Sequence, residues 1–150
     1  MARFSTGLRN ALATNYGLGV MMNGGVLLVY GNEPPDSPDD APGEPEIARV
    51  TTGGLPFVPG TTSGGGGIML ELVTAGALAA VGELRLRGIR EARARWWRWC
   101  WSRPDPQVQS TYYPRVDGDV PGELRLNTWT IAATTDEPVD QFLFLLPMGG

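Results

Sequence analysis

Short apolar runs of strand length, separated by turn residues, recur along most of this 150-residue chain. Runs rich in β-branched and aromatic residues, bounded by Gly, Pro, Asn and Asp, are typical of β-strands. The pattern predicts strands at residues 26–30, 47–52, 68–74, 83–89, 92–101, 112–116, 123–131 and 139–146. Seven to eight strands at this spacing predict an all-β fold, an antiparallel β-sandwich with jelly-roll or immunoglobulin-like topology.

The strand predicted at 92–101 carries tryptophan on both of its faces. Alternation places Trp96 and Arg98 on one face and Trp97, Trp99 and Trp101 on the other. One face belongs to the core, and the other requires cover from a loop, the N-terminal arm or another subunit, because exposing such a patch is costly. Trp and Arg are also frequent in protein interfaces, so we predict that Trp96 and Arg98 contact a partner.

Two other functions are compatible with arginines interleaved with aromatic residues. Nucleic acid is bound by arginines together with aromatic rings on which bases stack, but this chain has a net charge of −4. Since non-specific nucleic-acid affinity comes from surplus positive charge, we expect no such binding. A tryptophan platform for sugar remains an alternative.

The start of the chain predicts a short amphipathic helix. Ser5 or Thr6 is a suitable N-cap, and Gly17 and Gly19 follow at its end. The stripe at helical spacing consists of Leu8, Ala11, Leu12 and Asn15. We therefore expect residues 1–22 to form a helix or an arm that orders on docking, and residues 23–150 to form a single β-domain.

Two segments have the composition of loops. Residues 32–46 contain five prolines and six acidic residues, which predicts a solvated surface loop, and Asp36, Asp39 and Asp40 lack the spacing of an EF-hand. The glycine-rich stretch 53–67 contains no lysine and precedes a predicted strand, so it does not match a phosphate-binding loop.

The chain lacks the residues of the usual catalytic triads. The chain has no histidine and one cysteine, Cys100, so it contains no Ser-His-Asp or Cys-His triad and no disulfide. Cys100 lies between two tryptophans and is expected to be a small buried hydrophobic residue. The carboxylates Asp117, Asp119 and Glu123 lie in a segment that predicts a turn. We predict a protein that is not an enzyme and binds neither metal nor cofactor, made in the cytoplasm and without a membrane segment.

Several motifs resemble those of small virion proteins of tailed bacteriophages. They are FSTGLRNALA at the start, GGVLLVYG followed by a loop rich in Pro, Asp and Ala, ARWWRW, RVDGDVPGELRL, and VDQFLFLLP at the end. The resemblance covers nearly the whole chain, and its motifs are packing and turn patterns. The chain differs from that family at Trp99 and Trp101, where phenylalanine or a polar residue is usual.

The resemblance implies a jelly-roll-like sandwich on the phage particle, most simply a capsid decoration protein that stabilises the head by bridging capsomers. Its expected partners are the major capsid protein and copies of itself, with no nucleic acid and no membrane. The expected contact residues are Arg3, Arg9, Trp96 and Arg98. The alternative is a tail, baseplate or fibre component that binds host-surface carbohydrate.

Overall fold

The fold is described by a computed structural model that covers residues 2–14, 16–60 and 65–145. Within these ranges the chain forms two short helices and twelve strands. The helices are α1 (Thr6–Ala13) and α2 (Leu18–Met22). The strands are β1 (Arg3–Phe4), β2 (Val26–Tyr30), β3 (Ala48–Thr52), β4 (Leu70–Thr74), β5 (Ala77–Ala80), β6 (Leu84–Gly88), β7 (Ala92–Arg93), β8 (Trp96–Cys100), β9 (Arg115–Asp119), β10 (Leu124–Leu126), β11 (Thr130–Ile131) and β12 (Asp136–Leu145).

Ten of these strands form one curled antiparallel sheet. Its order is β1, β9, β8, β2, β3, β6, β12, β5 and β4, with β10 also paired to β12, while β7 and β11 form a separate pair. A bridge between Gly25 and Ile68 brings the chain just before β4 back to the start of β2, so the sheet curls on itself. The predicted all-β, antiparallel, sandwich-like fold with a short N-terminal helix is confirmed.

The N-terminal segment is part of this sheet. Arg3 and Phe4 pair with Asp117 and Val116 of β9. Ser5 then caps α1, since its hydroxyl oxygen accepts a hydrogen bond from the Leu8 amide at 3.2 Å. The segment therefore contributes both a strand and the predicted helix to the fold.

Two predicted strands are each divided in the structure. Residues 92–101 contain β7 and β8, and residues 123–131 contain β10 and β11. The divisions arise because the halves pair with different neighbours: β7 pairs with β11, whereas β8 pairs with β2 and β9, and β10 pairs with β12. A pattern along one chain does not reveal where the pairing partner changes.

Other predicted boundaries also differ from the observed ones. The strand predicted at 112–116 is instead β9, because Tyr112 and Tyr113 pack against α1 and the Asp-Gly pair predicted as a turn lies within the strand. The pattern missed β1, which has two residues, and β5, which is mostly alanine, a weak strand former. Asn15 and Leu146, placed by prediction in the helix and in the last strand, lie outside the described residues.

Gly118 of β9 is required by the packing of the core. It lies directly across from Trp97 in the sheet register, and a Cβ atom at Gly118 would come within 2.2 Å of the Trp97 ring. The indole N–H of Trp97 donates to the carbonyl of Asp119 at 3.2 Å, which holds the ring over the glycine. This contact explains why an Asp-Gly pair occurs inside a strand.

We predict that Gly118→Ala lowers the free energy of unfolding by about 1–3 kcal/mol, because the added methyl group displaces the Trp97 ring. Urea unfolding followed by tryptophan fluorescence measures the change. Gly17→Ala is the control, since nothing lies within 4 Å of a Cβ atom there, and we expect a smaller cost of about 0.5 kcal/mol, because Gly17 is the N-cap of α2 and alanine is a poorer N-cap. Equal effects of the two changes would contradict this packing.

Candidate functional site

Strand β8 is an interior strand of the sheet, between β2 and β9, and all five of its residues are buried. Its inner face contributes Trp97 and Trp99 to the main core. Both rings meet Phe142 of β12 edge to face, at centroid distances of 5.4 and 5.8 Å. The predicted division of the tryptophans between the two faces agrees with this packing.

The opposite side of β2, β8 and β9 is here called the second face. Its buried side chains are Val26, Leu28, Tyr30, Trp96, Arg98, Cys100, Arg115 and Asp117, and the register also places the exposed Asp119 here, opposite Trp96. Trp96 stacks on Tyr30 with a centroid distance of 4.3 Å, and its indole N–H donates to the Asn32 side chain at 3.1 Å. Apart from Asp119 at its end, this face combines apolar and charged groups away from water.

Arg98 and Asp117 form an ion pair at the centre of the second face. They are directly opposite each other in the β8–β9 register. Two hydrogen bonds join them, from Nε to Oδ1 at 2.7 Å and from Nη2 to Oδ2 at 2.9 Å, and both side chains are 0% exposed. Burial lowers the pKa of Arg98, but the hydrogen bonds and charge of Asp117 outweigh it, so the pKa is raised and the guanidinium stays charged.

A second buried arginine connects the sheet to two loops. Arg115 donates to both carboxylate oxygens of Asp105 at 2.7 Å. It also donates to the backbone carbonyls of Pro38 at 3.2 Å and Val108 at 2.9 Å. Because Pro38 belongs to the acidic loop and Val108 to the loop after β8, one guanidinium fastens both loops over the second face.

The loop after β8, residues 101–114, completes the cover. The Gln107 side chain accepts from Arg98 at 3.2 Å and donates to the sulfur of Cys100 at 3.2 Å. Gln107 has a φ of +57°, which is rare for a residue with a side chain. The loop thus supplies polar partners to both Arg98 and Cys100.

The acidic loop at residues 32–46 is fixed to the fold rather than free in solvent. The Asp39 carboxylate accepts from the Thr6 amide at 2.7 Å and also pairs with the Thr6 hydroxyl. The Asp39 carbonyl accepts from the Ser110 amide at 2.8 Å, which joins the loop to residues 101–114. The loop lies on the surface, with Pro38 as its one buried residue, and its carbonyls and carboxylates also serve as partners for groups of the core and the helix.

The four predicted contact residues occupy different environments. Trp96 and Arg98 are 0% exposed, and the cover they require comes from the chain's own loops. Arg3 donates to the backbone carbonyl of Pro35 at 2.9 Å. Arg9 lies on the exposed side of α1 and makes a local hydrogen bond to the Thr6 hydroxyl at 3.1 Å. The structure does not bring these four residues together on one surface.

The sequence did not predict the partners of the two buried arginines, Arg98 and Arg115. Asp117 lies in a segment predicted as a turn, and Asp105 and Gln107 lie in a loop without a motif. Alternation within a strand could have indicated part of this arrangement. If residues 115–119 are taken as a strand, Arg115 and Asp117 lie on the same face of it.

Cys100 is buried and is not an activated nucleophile. Its side chain is 3% exposed, and burial raises the pKa of the thiol to about 12. A thiolate is the reactive form, so this cysteine is inert in the folded chain. Among the described residues, no group of three or more Cys, Asp or Glu side chains is arranged to hold a metal ion.

A shallow groove lies on the surface between α1, α2 and the loop after β8. It has a volume of about 290 Å³ and is lined by Gly7, Asn10, Ala11, Met21, Trp101, Thr111, Tyr112 and Pro114. Trp101 and Tyr112 meet edge to face at 6.0 Å, and Tyr112 is 66% exposed. Trp101, rather than Trp96, is therefore the tryptophan of the 92–101 segment that borders solvent here.

We predict that Arg98→Met costs about 3–5 kcal/mol of unfolding free energy, because it leaves Asp117 buried without its partner. The double change Arg98→Met with Asp117→Leu recovers most of this loss, since no buried charge remains. Arg85→Met is the control: Arg85 pairs with Asp136, but the side chains are 32% and 48% exposed, and we expect a cost below about 1 kcal/mol. Similar costs for Arg98→Met and Arg85→Met would contradict the burial of the pair.

We predict that stability falls at alkaline pH through Cys100 and Tyr30. Burial raises both pKa values in the folded chain, so the fold holds these groups protonated while the unfolded chain releases their protons. The free energy of unfolding is unaffected below the unfolded thiol pKa of about 8.5 and decreases as pH rises from there toward 12. Between pH 9.5 and 10.5, wild type should lose about 1 kcal/mol more than Cys100→Ala. Parallel pH profiles of the two proteins would contradict this account.

No protein-family model matches the chain, and no curated protein or solved structure matches it either. The resemblance to phage virion proteins therefore stays a hypothesis based on sequence motifs. None of the helices in the described ranges is long and apolar enough to cross a bilayer.

Proposed function

We propose that this chain is a non-enzymatic structural protein of a bacteriophage virion, which decorates the capsid and stabilises it by bridging capsomers. The observation that carries the proposal is the closed second face. The buried charged groups of that face are paired, Arg98 with Asp117 and Arg115 with Asp105 of the covering loop, and Cys100 is inert. A decoration protein works through rigidity and contact area rather than through a reactive group, and this arrangement fits that requirement.

The exposed surface of the N-terminal region supports the same role. β1 and α1 are fixed in the sheet, so Arg9 is presented from a rigid helix. In contrast, a contact through Trp96 or Arg98 would require both covering loops to move. We therefore propose Arg9 as the contact with a neighbouring capsid subunit, and we assign to Arg3, Trp96 and Arg98 the support of the surface that presents it.

The copy number of the chain in purified virions tests this role. A decoration protein is present in numbers comparable with the major capsid protein, so a stained gel of the particles should show a band of similar molar intensity. Shells stripped of the chain should rupture more easily. Only a few copies per particle would contradict the proposal and would favour a tail or baseplate component.

Variants of Arg9 test whether this residue contacts a neighbouring capsid subunit. Purified protein is added back to stripped shells, and bound copies are counted. We expect Arg9→Glu to lower occupancy several-fold and Arg125→Glu, at an exposed arginine of β10, to leave it unchanged. Equal occupancy for both variants would remove Arg9 from the interface.

Carbohydrate binding is a second candidate, favoured by the groove beside Trp101 and Tyr112. Aromatic side chains at the edge of a shallow groove, with Asn10 nearby, resemble the apolar platforms and polar groups of ligand sites. Glycan-array binding that is lost in Tyr112→Ala and kept in Trp129→Ala, whose ring is 39% exposed elsewhere, would support this role. No binding to any glycan would contradict it.

A further inference from the structure

A wide groove lies between the glycine-rich loop after β3 and the residues that follow β8. It has a volume of about 770 Å³, which is within the range of small-molecule sites. Five glycines form much of its lining and add no side chains that would fill it. Its apolar side chains are Phe57, Val58 and Met69, and its polar ones are Asn23, Ser102 and Arg103. The groove thus offers an apolar wall together with a small number of hydrogen-bonding groups.

Hydrogen bonds and apolar contacts fix the walls of this groove. The Gly60 amide donates to the Ser102 carbonyl at 2.7 Å, which joins the two sides. The Gly24 amide donates to the Ile68 carbonyl at 2.8 Å, and Phe57 packs against the apolar residues of the second face. The groove is therefore built by the packing of the fold and is not a gap between loose surface side chains.

Arg103 is the one charged residue among the described residues of the lining. Its guanidinium lies over the Trp101 ring, with the Cζ atom 5.7 Å from the ring centroid. The Trp101 ring is itself held edge to face by Tyr112 and Tyr113, at centroid distances of 6.0 and 6.4 Å. Stacking uses the flat face of a guanidinium and leaves the N–H groups at its edge free to donate. Trp101 therefore orients Arg103 without using its hydrogen-bond donors.

No carboxylate in the described part of the chain pairs with Arg103. The two buried arginines differ in this respect, since Arg98 is paired with Asp117 and Arg115 with Asp105. Asp105, which lies two positions after Arg103, is therefore already used. A guanidinium binds a carboxylate through two parallel N–H···O bonds, so Arg103 is available to a carboxylate from outside the chain.

We propose that this groove binds a small organic carboxylate with an apolar body, whose carboxylate pairs with Arg103 while the body lies against Phe57, Val58 and Met69. Val58 and Met69 are 46% and 47% exposed, so a bound alkyl group removes apolar surface from water. This inference is independent of the proposed role in the virion.

The charge of the groove favours a carboxylate over a phosphate ester. One guanidinium balances the single charge of a carboxylate, whereas a phosphate monoester carries nearly two negative charges at neutral pH. Neutral donors complete the recognition of a carboxylate. The Ser102 hydroxyl lines the groove, and the Asn23 side chain accepts from the Leu70 amide through its oxygen at 2.9 Å, which leaves its NH₂ group to donate.

An NMR titration of the isotope-labelled full chain with octanoate tests the proposal. We expect saturable shifts of the Arg103 Nε–H and of the Phe57 and Met69 amides, with a dissociation constant on the order of 1 mM for a ligand of this size. Octanol, which has the same alkyl chain without the charge, should bind roughly five-fold more weakly or less tightly still. Equal affinity for octanoate and octanol would overturn the proposed pairing with Arg103.

Two pairs of variants locate the site. Arg103→Gln should weaken octanoate binding several-fold, whereas Arg93→Gln should leave it unchanged, because Arg93 also lies over a tryptophan, at 5.4 Å, but does not line the groove. Met69→Glu should abolish binding by placing a carboxylate beside Arg103, and Val20→Glu, at a side chain that is 73% exposed on α2, should bind like wild type. Unchanged tryptophan fluorescence shows that each variant is folded. The absence of saturable shifts at millimolar octanoate, or equal binding by Arg103→Gln and Arg93→Gln, would overturn the proposal.

Discussion

The central strands β2, β8 and β9 carry side chains on both faces that have to be removed from water. On the inner face these are Trp97 and Trp99, which pack in the ordinary way against other apolar groups. On the second face they include a guanidinium and a carboxylate, and burying such groups is tolerable only when every polar atom finds a partner. The paired Arg98 and Asp117 satisfy each other, and Gln107 of the loop accepts from Arg98 Nη1, whereas the buried Tyr30 hydroxyl on this face has no hydrogen-bond partner among the described residues. Two loops are consequently as necessary to the fold as the strands are.

This constraint changes which surface is available for contacts. A strand with tryptophan and arginine on its outward face is a natural candidate for an interface, yet Trp96 and Arg98 are closed off by residues 32–46 and 101–114. The groups at the periphery include Arg9 on α1 and the aromatic groove beside Trp101. In the proposed role, these are the groups that reach other subunits.

The sequence predicted those features that depend on local pattern. The bounds of β2 were correct because five apolar residues between glycines leave little ambiguity, and alternation within 96–100 separated the faces correctly. The Arg98–Asp117 pair was out of reach, because it depends on the register between two strands and joins residues 19 positions apart in the chain. Gly118 was assigned to a turn because Asp-Gly is a strong local signal, whereas its position is set by the Trp97 ring across the sheet. The function of the acidic loop was missed because composition does not show which carbonyls face an arginine.

Hydrogen exchange of side-chain N–H groups, followed by NMR, tests the closure of the second face most directly. The account predicts that the Trp96 indole N–H and the Arg98 Nε–H exchange only through global unfolding, at least about a thousand-fold more slowly than the indole N–H of the partly exposed Trp129. Exchange of Trp96 and Arg98 at rates close to that of Trp129, under conditions where the chain is folded, would contradict it.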